Sequence, residues 1–491
     1  MARQYQTRRH LRIQRRSHMD RPQSEPRTRI FLYRILELTM TTPIDHTELH
    51  RTAKYFMDSG RAATHEDAVA MLQTFGLVIL VGEEITSSTS HQDALLTLVN
   101  LARRTLLSGI HVCGIPADTR CLSRLAKAAT LAEAVTELGG SIETVARPDW
   151  PHALIGSVTT TARPAWRLTW EGWRGGVVPV DHPAKPNESR VMELASVLAA
   201  AVCAAEAFAY HAQDHLLAGR RAHGLSLWQP AHDWLTADPT EPPLTYLPSR
   251  LWVIGLGNLG QAFAWSLATL PYAKEQKPQI VLQDFDHVSA SNESTSLLAF
   301  RNDVGRRKSR VVANWLDARG FETFIEERHF DAWTRRSPNE PGVALCGVDN
   351  ALARMALEDA GFDLVVEAGL GAGPAAFRSI ALHTFPATRT AKEIWSRQVG
   401  DRTDAPEHMP AYQQLKSAGM DACGLTQLAS RTVAVPFVGL VAACLAISEL
   451  LRRLHGGSPL EFVTGSVLSL EDLEAGTLQT GPYAFGHLKC A

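Results

Sequence analysis

The stretch Leu251-Trp-Val-Ile-Gly-Leu-Gly-Asn-Leu-Gly260 decides the fold of the second half of the chain. A short apolar strand runs into a Gly-x-Gly-x-x-Gly loop, and a helix-like segment follows the loop. Gly255, Gly257 and Gly260 permit a tight turn and let backbone N–H groups approach phosphates at the positive end of the helix. The stretch predicts a nucleotide-binding βαβ unit. This pattern is found most often in NAD(P)-dependent dehydrogenases.

An acidic residue follows the loop at the distance that ribose binding requires. Such a residue stands about 20 positions past the glycines and accepts a hydrogen bond from a ribose hydroxyl. Asp284 fits this spacing. Because NAD and ATP both contain ribose, the spacing leaves both nucleotides open.

Four ordered motifs after the loop change the interpretation from NAD to ATP. They are residues 284–292 (DFDHVSASN), 303–308 (DVGRRK), 347–354 (GVDNALAR) and 367–371 (EAGLG). Together they resemble the ThiF/MoeB family, which includes the adenylating domains of ubiquitin-activating enzymes. The resemblance implies ATP-dependent adenylation in place of hydride transfer, and it implies that residues 367–371 form a Gly-rich turn.

The resemblance also implies which residues bind MgATP. Lys308 is expected to hold the triphosphate, Asp349 to hold Mg²⁺ at a strand end or to cap a helix, and Asn292 to face the nucleotide. The remaining expected nucleotide-binding residues are Gly255, Gly257, Gly260, Asp284, Asp286 and Asn350. Positive charge and orientation suit the reaction, because a carboxylate attacks the α-phosphate of ATP and both reactants are anionic.

One position departs from the family pattern S-N-x-x-R-Q. Thr295 stands where the family has an Arg that contacts phosphate, and Ser296 replaces the Gln. A positive charge is therefore missing at this position. Arg301, Arg306, Arg307 or a residue of the other half of the chain are the candidates to replace it. The same departure supports an alternative function, a nucleotide-binding pseudoenzyme scaffold.

The first half has a similar outline without the glycine loop. Its first strand, residues 77–81, is followed by Gly82-Glu-Glu84-Ile. Each half closes with a long helix of small residues, 191–210 and 437–454. We expect an α/β chain with two Rossmann-like, ThiF-type adenylation folds, the N-terminal copy degenerate and the C-terminal copy active. The two copies would form an intramolecular pseudo-dimer, which leaves further homodimerisation open.

In the family that the chain resembles, the degenerate copy sends a basic residue into the active site of its partner. The segment Arg51-Thr-Ala-Lys54 precedes the first strand at a suitable distance. Lys54 is the expected contact to ATP, with Arg51 and Arg61 as alternatives. An exposed basic helix face is the ordinary explanation of the same residues.

The resemblance further implies a cysteine that takes the acyl group from the adenylate as a thioester. Cys423 follows a polar stretch that contains proline, and it stands at the start of a helix-like segment. The positive end of a helix favours the thiolate, which is the nucleophilic form. Cys346 and Cys444 lie in apolar segments typical of cores, and Cys490 is terminal.

The expected function is therefore ATP-dependent activation of a ubiquitin-like protein that ends in Gly. Adenylation would be followed by a thioester on Cys423 and by transfer to a ubiquitin-conjugating-enzyme-like protein. The alternatives are the scaffold named above and adenylation without a thioester, as in sulfur-carrier or small-substrate activation. The resemblance extends to bacterial ubiquitin-like conjugation systems that act in antiviral defence.

Composition limits the partners and the compartment. The chain of 491 residues is 45% hydrophobic and 20% charged, with a formal net charge of −2, which is ordinary for a soluble globular protein. We expect no nucleic-acid partner and no membrane span, and the scattered cysteines fit a cytoplasmic enzyme. The expected divisions are a basic disordered tail (1–40), the inactive domain (41–211), a linker (212–249), the active domain (250–458) with its crossover loop (386–422), and a C-terminal segment (459–491).

Overall fold

The computed structural model describes residues 48–184, 186–188, 192–396, 406–430, 432–477 and 486–488. The expected basic tail, residues 1–40, and Cys490 lie outside the described residues. Helices and strands are numbered below in chain order.

The first half contains a sheet of seven strands. Its elements are α1 (Lys54–Asp58), α2 (His65–Leu72), β1 (Gly76–Val81), α3 (Thr89–Ala102), β2 (Gly109–Cys113), α4 (Leu131–Glu137), β3 (Ser141–Ile142), β4 (His152–Ile155), β5 (Ala165–Glu171), β6 (Arg174–Pro179), α5 (Glu193–Ala212) and β7 (His223–Ser226). The strand order is β3-β2-β1-β4-β5-β6-β7. Strands β1 to β5 pair in parallel, and β6 and β7 continue the sheet in antiparallel pairing.

The second half contains a sheet of eight strands. Its elements are β8 (Tyr246–Leu247), β9 (Arg250–Ile254), α6 (Asn258–Thr269), β10 (Gln279–Gln283), α7 (Lys308–Asp317), β11 (Glu322–Glu326), β12 (Val343–Cys346), α8 (Ala351–Met355), β13 (Leu364–Leu370), α9 (Gly373–Ala376), β14 (Ser379–Phe385), α10 (Ala391–Trp395), α11 (Pro410–Ser417), α12 (Ala422–Ser430), α13 (Pro436–Leu454), β15 (Leu460–Ser466), β16 (Ser469–Thr477) and β17 (His487–Leu488). The strand order is β11-β10-β9-β12-β13-β14-β15-β16, and β17 pairs with β8. Strands β9 to β13 pair in parallel, and β14 to β16 are antiparallel.

The two sheets share one strand order, so the weak repeat in the sequence is a repeat of topology. In both halves the first strand is central, and the long helix, α5 or α13, connects the sixth and seventh strands. The prediction of two parallel-rich, Rossmann-like α/β sheets is confirmed. In such sheets a ligand crevice opens where neighbouring connections leave in opposite directions. That point lies between β1 and β4 in the first half and between β9 and β12 in the second.

The halves pack on each other through equivalent helices. Trp265 Nε1 of α6 donates to Thr97 Oγ1 of α3 at 3.0 Å. The rings of Phe208 in α5 and Phe437 in α13 lie 5.7 Å apart. A single apolar core contains side chains of both halves. Pairing of like with like is the arrangement of a two-fold dimer, here within one chain.

Two segments differ from what the sequence suggested, and the structure assigns the C-terminal segment to a sheet. The expected linker, residues 212–249, contributes β7 to the first sheet, and the terminal segment contributes β15 and β16 to the second. Residues 367–370, expected in a Gly-rich turn, lie inside β13. Strand β7 is a short antiparallel strand without the continuous apolar run that marks a buried parallel strand, and this concealed it in the sequence.

One helix in the described part of the chain, Glu193–Ala212, is long and apolar enough to cross a membrane. Its apolar window is 89% buried inside the protein. Helix α5 thus has the surroundings of a core helix.

Candidate functional site

The three glycines of the loop after β9 have three different surroundings. Gly255 has φ +82°, which favours glycine, and a Cβ there would lie 2.9 Å from Val348 Cγ1. A Cβ on Gly260 would lie 1.9 Å from the Gly255 oxygen, so α6 packs on the loop only with glycine at this position. A Cβ on Gly257 would meet no heavy atom within 4 Å. The loop therefore combines a tight turn, a close helix contact and an open approach for a phosphate.

Asp284 joins the end of β10 to this loop. Its Oδ2 accepts a hydrogen bond from Leu256 N at 2.7 Å, and its Oδ1 accepts one from Asp286 N at 2.7 Å. An ionised carboxylate has about four acceptor positions, so two bonds leave capacity for a ribose hydroxyl. Asp284 is thus placed to shape the loop and to receive a ribose.

Lys308 lies next to this acidic segment. Its Nζ is 2.8 Å from Asp286 Oδ2, and its backbone N donates to the Asp286 oxygen at 3.0 Å. Gly305 N also donates to Val288 O at 2.8 Å, so residues 286–288 run beside residues 305–308. Lys308 is the first residue of α7, and its side chain is 11% exposed. The fold therefore brings the second motif, with its one lysine, against the first.

Asn292 lies in the loop that follows. Its Oδ1 accepts hydrogen bonds from Ser289 N at 2.9 Å and from Ser289 Oγ at 3.2 Å. Its Nδ2 donates to no other residue in the described ranges, so the amide remains available to a phosphate oxygen. Thr295 and Ser296, which replace the Arg and Gln of the family pattern, are buried. Substituting a charge at Thr295 would therefore place it inside the protein.

Asp349 follows β12, the strand beside β9. It is exposed, and it makes no hydrogen bond or ion pair with a described residue. The idea that Asp349 caps the next helix is wrong, because Asn350 is the N-cap of α8 and its Oδ1 accepts from Leu352 N at 2.8 Å. Mg²⁺ is commonly bound by one or two carboxylates together with phosphate oxygens. No group of three His, Cys, Asp or Glu residues that could hold a metal occurs in the described ranges, so Mg²⁺ at Asp349 would need the phosphates.

A buried ion-pair network supports the turn that carries Asp349. Arg354 Nε donates to Val348 O at 2.8 Å and lies 3.2 Å from Glu367 Oε1. His383 Nδ1 lies 3.0 Å from Glu367 Oε2, and Glu367 is fully buried in β13. The sequence identified Arg354 and Glu367 as motif positions but did not show that they form one network.

Lys54 lies in a buried polar cluster, which we call the Lys54 triad. Its Nζ is 2.5 Å from Asp58 Oδ2 and donates to Tyr412 Oη at 2.6 Å, and Tyr412 Oη donates to Asp58 Oδ1 at 2.6 Å. All three side chains are buried. Burial lowers the pKa of Lys54 and raises the pKa of Asp58. The triad ties α11 of the crossover loop to α1, and within the described ranges no hydrogen bond or ion pair of Lys54 involves Asp284, Lys308 or Asp349.

Arg51 is the basic residue of this segment that contacts the second half near Asn292. Its backbone N donates to Ser294 Oγ at 3.1 Å, and its Nε donates to Thr432 O at 3.2 Å. Arg61 instead donates to Ala212 O at 2.7 Å, within the first half. Of the three expected candidates, Arg51 has the contacts that suit a residue acting across the interface.

Cys423 is the second residue of α12 and is exposed, whereas the other described cysteines are buried or partly buried. Asp421 Oδ1 accepts from Gly424 N at 2.6 Å, so the first turn of the helix is capped, and Gln427 Nε2 lies 3.4 Å from the sulfur. Burial raises the pKa of Cys346 and of Cys444 to about 12. Cys423 is therefore the described thiol that a large substrate can reach.

Sequence reasoning did not single out Arg104, which lies just after α3 in the first half. It is 2% exposed and donates to backbone carbonyls of the second half, in the segment that follows Asn292. No motif marks this residue, because its role depends on how the two halves pack.

Comparison with known proteins places the chain in a family. The profile of the BilD N-terminal domain matches residues 76–227, and that of the BilD C-terminal domain matches residues 247–457. The bacterial E1-like protein BilD of Collimonas sp. (strain OK412) is 61% identical over 452 residues, which are 92% of this chain and 98% of that protein.

Solved structures show more distant similarity. E. coli MccB with ATP is 13% identical, with a TM-score of 0.32 over 48% of this chain and 65% of that chain. E. coli tRNA N6-threonylcarbamoyladenosine dehydratase, TcdA, is 15% identical, with a TM-score of 0.28 over 42% of this chain and 85% of that chain. Because both TM-scores are low, the assignment depends on the Collimonas relative and on the two domain profiles. By that evidence the chain belongs to the family of bacterial E1-like BilD proteins.

Proposed function

We propose that this protein activates the C-terminus of a ubiquitin-like protein with ATP and transfers it, through a thioester on Cys423, to a conjugating enzyme. One observation carries the proposal. The glycine loop, Asp284 and Asp349 follow the adjacent parallel strands β9, β10 and β12, and Asp286 holds Lys308 beside them. Carboxyl ends of neighbouring parallel strands meet at one edge of a sheet, where nucleotides bind. The E1-like name of the Collimonas relative supports the same activity.

In the first step the terminal carboxylate of the partner attacks the α-phosphorus of ATP and pyrophosphate leaves. Gly257 leaves room for the phosphates, and the N–H groups at the start of α6 point toward them. Lys308 supplies positive charge near the leaving pyrophosphate, and Asn292 supplies amide N–H donors. Asp349 would hold Mg²⁺, whose charge screens the repulsion between the two anionic reactants.

Arg51 is proposed to contribute from the first half. Its backbone N donates to Ser294 Oγ, in the loop that contains Asn292, and its guanidinium donates to Thr432 O. The position at which the family has a phosphate-binding Arg holds the buried Thr295. A cation brought by the other half would restore charge near that position.

In the second step the Cys423 thiolate attacks the acyl carbon of the adenylate and AMP leaves. Cys423 is exposed at the start of α12, where a large substrate can reach it. It follows the crossover loop, whose helix α11 is joined to α1 by the Lys54 triad. The proposed nucleophile would then stand next to a segment that contacts both halves. In bacteria such chemistry would serve a ubiquitin-like conjugation system, with antiviral defence as the proposed setting.

Two assays on the full chain test the proposal. ATP–pyrophosphate exchange that requires a small protein ending in Gly is expected, together with a reducible adduct on a non-reducing gel. Cys423→Ala should abolish the adduct and leave the exchange intact. Cys121→Ala, which changes a partly buried cysteine of the first half, is the matched control and should alter neither.

Each negative outcome of these two assays favours a different alternative. Exchange without an adduct in the parent protein would favour adenylation without a thioester. An adduct that survives Cys423→Ala would assign the nucleophile to another cysteine. ATP binding without ATP–pyrophosphate exchange in the presence of any protein partner tested would favour the pseudoenzyme scaffold.

A further inference from the structure

Arg104 is a buried arginine whose side chain crosses from the first half into the second. Its Nε donates to Asn100 O at 3.1 Å within its own half. Its Nη1 donates to the oxygens of Glu293 and Ala299, the latter at 3.1 Å, and its Nη2 donates to Leu297 O at 2.9 Å. One guanidinium therefore binds three backbone carbonyls of the other half.

These three carbonyls belong to residues 289–300, which we call the Asn292 loop. The loop begins with the hydrogen bonds between Ser289 and Asn292 and ends at Phe300, whose ring centroid lies 5.4 Å from the Arg104 guanidinium carbon. It contains no regular helix or strand beyond a short 3-10 turn at Ala290–Ser294. Hydrogen bonds within the loop, such as Ser296 N to Asn292 O at 2.8 Å, shape its first part, and bonds from outside the loop hold the rest.

Neighbouring residues of the first half add to the same contact. Asn100 Nδ2 donates to Leu297 O at 3.1 Å, and Arg103 Nη1 lies 3.6 Å from Glu293 Oε1. From the opposite side Gln261 of α6 accepts from Leu298 N at 2.8 Å. The Asn292 loop is thus held between equivalent helices, α3 of the first half and α6 of the second.

The charge of Arg104 is unusual for so buried a residue. It forms no ion pair with any carboxylate in the described ranges, and its guanidinium is held by backbone oxygens and the Asn100 side chain instead. Burying a cation is costly unless each donor has an acceptor. A buried positive charge beside a loop that would face phosphates gains favourable interaction when an anion binds.

We infer that Arg104 is a positioning residue that the first half supplies to the nucleotide site of the second. It holds the Asn292 loop in the shape that presents Asn292 to the nucleotide. The half without a glycine loop is then required for nucleotide binding, and not only for stability. This inference rests on the proposed function of the second half as an ATP site.

Arg104→Lys is the variant that tests the inference, because Lys keeps the charge but cannot reach three carbonyls with one rigid fork. Arg319→Lys is the matched control. Arg319 also crosses between the halves, donating to Leu125 O at 2.8 Å, but it lies before β11 at the opposite ends of the strands. Both variants thus lose an arginine–carbonyl contact between the halves, and only one contact is at the nucleotide site.

The expected result is a rise in KM for ATP on the order of tenfold in pyrophosphate exchange for Arg104→Lys, with the KM for the protein substrate unchanged. Arg319→Lys should change both constants by less than about twofold. Equal effects of the two variants on the KM for ATP would overturn the inference. A purely structural role would lower the melting temperature and the active fraction without changing the KM.

Two further measurements separate the possible failures. If Arg104→Lys does not fold, Asn100→Ala, which removes one contact to Leu297 O, should show the same rise in KM for ATP at smaller size, and no rise would overturn the inference. If the parent protein shows no exchange, the proposed function fails, and binding of a fluorescent ATP analogue then decides the inference. Unaltered binding in Arg104→Lys, or no binding by the parent, would overturn it.

Discussion

The two halves of the molecule differ most where their central strands end. After β9 the chain turns at Gly255 and leaves open space in front of Gly257. After β1 it passes Gly82 into a short helical turn, and both carboxylate oxygens of Glu84 accept from Ser157 N, at 3.1 and 3.0 Å. Ser157 follows β4, so Glu84 fills the crevice between β1 and β4 that corresponds to the one between β9 and β12.

Glu84 also gives that crevice the wrong charge for a nucleotide. Burial raises the pKa of Glu84, but the hydrogen bonds from Ser157 outweigh burial, so the pKa is lowered and the group is ionised at neutral pH. A fixed carboxylate repels phosphate. Both halves keep the fold because both keep its buried strands and helices, whereas a phosphate site also needs open space and positive charge. The first half keeps the fold and contributes to the other half through Arg51 and Arg104.

The largest expected effect concerns Lys308, the lysine of the candidate site in the second half. Lys308→Ala should lower the rate of ATP–pyrophosphate exchange by about 1,000-fold, because it removes positive charge from an anionic reaction. Arg310→Ala is the matched control on the same helix, since Arg310 is exposed and pairs with Glu327. Exchange by Lys308→Ala at the level of this control would show that the triphosphate is held elsewhere.

The next effect tests which residues of the N-terminal segment serve structure. Lys54→Ala should lower the free energy of unfolding by about 3 kcal/mol, since it leaves Asp58 buried without its cation. Exchange per folded molecule should remain near that of the parent. Chemical denaturation and exchange assays on Lys54→Ala, with the exposed Lys416→Ala of α11 as control, measure both quantities. A fall in the exchange rate per folded molecule of Lys54→Ala would instead favour a nucleotide contact by Lys54.

A smaller effect tests the open space after β9. Gly257→Ala should raise the KM for ATP about tenfold, because its methyl group occupies the approach of the phosphates. Its stability should stay within about 1 kcal/mol of the parent, since the Cβ meets no atom within 4 Å. Gly260→Ala provides the contrast, because its Cβ would clash with Gly255 O and lower stability. An unchanged KM for ATP in Gly257→Ala would show that the phosphates do not bind at this loop.

The last effect concerns the pH dependence of stability at a buried acid of the first half. Burial raises the pKa of Asp93 in α3 to about 7, whereas the equivalent helix α6 has no acidic residue. A raised folded pKa means that the favourable contribution of Asp93 is complete below about pH 4 and is lost as the pH rises through 7.

The stability of Asp93→Asn relative to the parent should therefore increase by about 4 kcal/mol between pH 4 and pH 8. Thermal unfolding across this range measures the difference. Glu66→Gln, which changes an exposed acid of α2, should show no such trend. A flat difference for Asp93→Asn would mean that Asp93 is ionised throughout.

The parallel cores and the nucleotide motifs could be predicted from the sequence, because both are local signals. Strands β1 and β9 are continuous apolar runs, and the glycine spacing from Gly255 to Gly260 predicts the tight turn of the loop. The spacing of Asp284 and the motif that contains Lys308 placed the site within the second half. The expected roles of the site residues stay predictions.

The contacts between the halves could not be predicted, because they arise from packing across a large sequence separation. Nothing near Arg104 indicates that it binds carbonyls of residues 293–299. Lys54 and Arg51 are alike in a sequence pattern, yet one is enclosed with Tyr412 and the other contacts Ser294. The antiparallel strand β7 was likewise hidden, since its residues follow a segment rich in turns.

The number of ATP molecules bound per chain distinguishes the two halves most directly. Isothermal titration of the full chain with ATP and Mg²⁺, or with a non-hydrolysable analogue, measures how many of the two equivalent folds bind. We predict one site per chain, lost in Lys308→Ala and retained in Glu84→Gln. Two sites per chain, or one site that survives Lys308→Ala and disappears in Glu84→Gln, would contradict it.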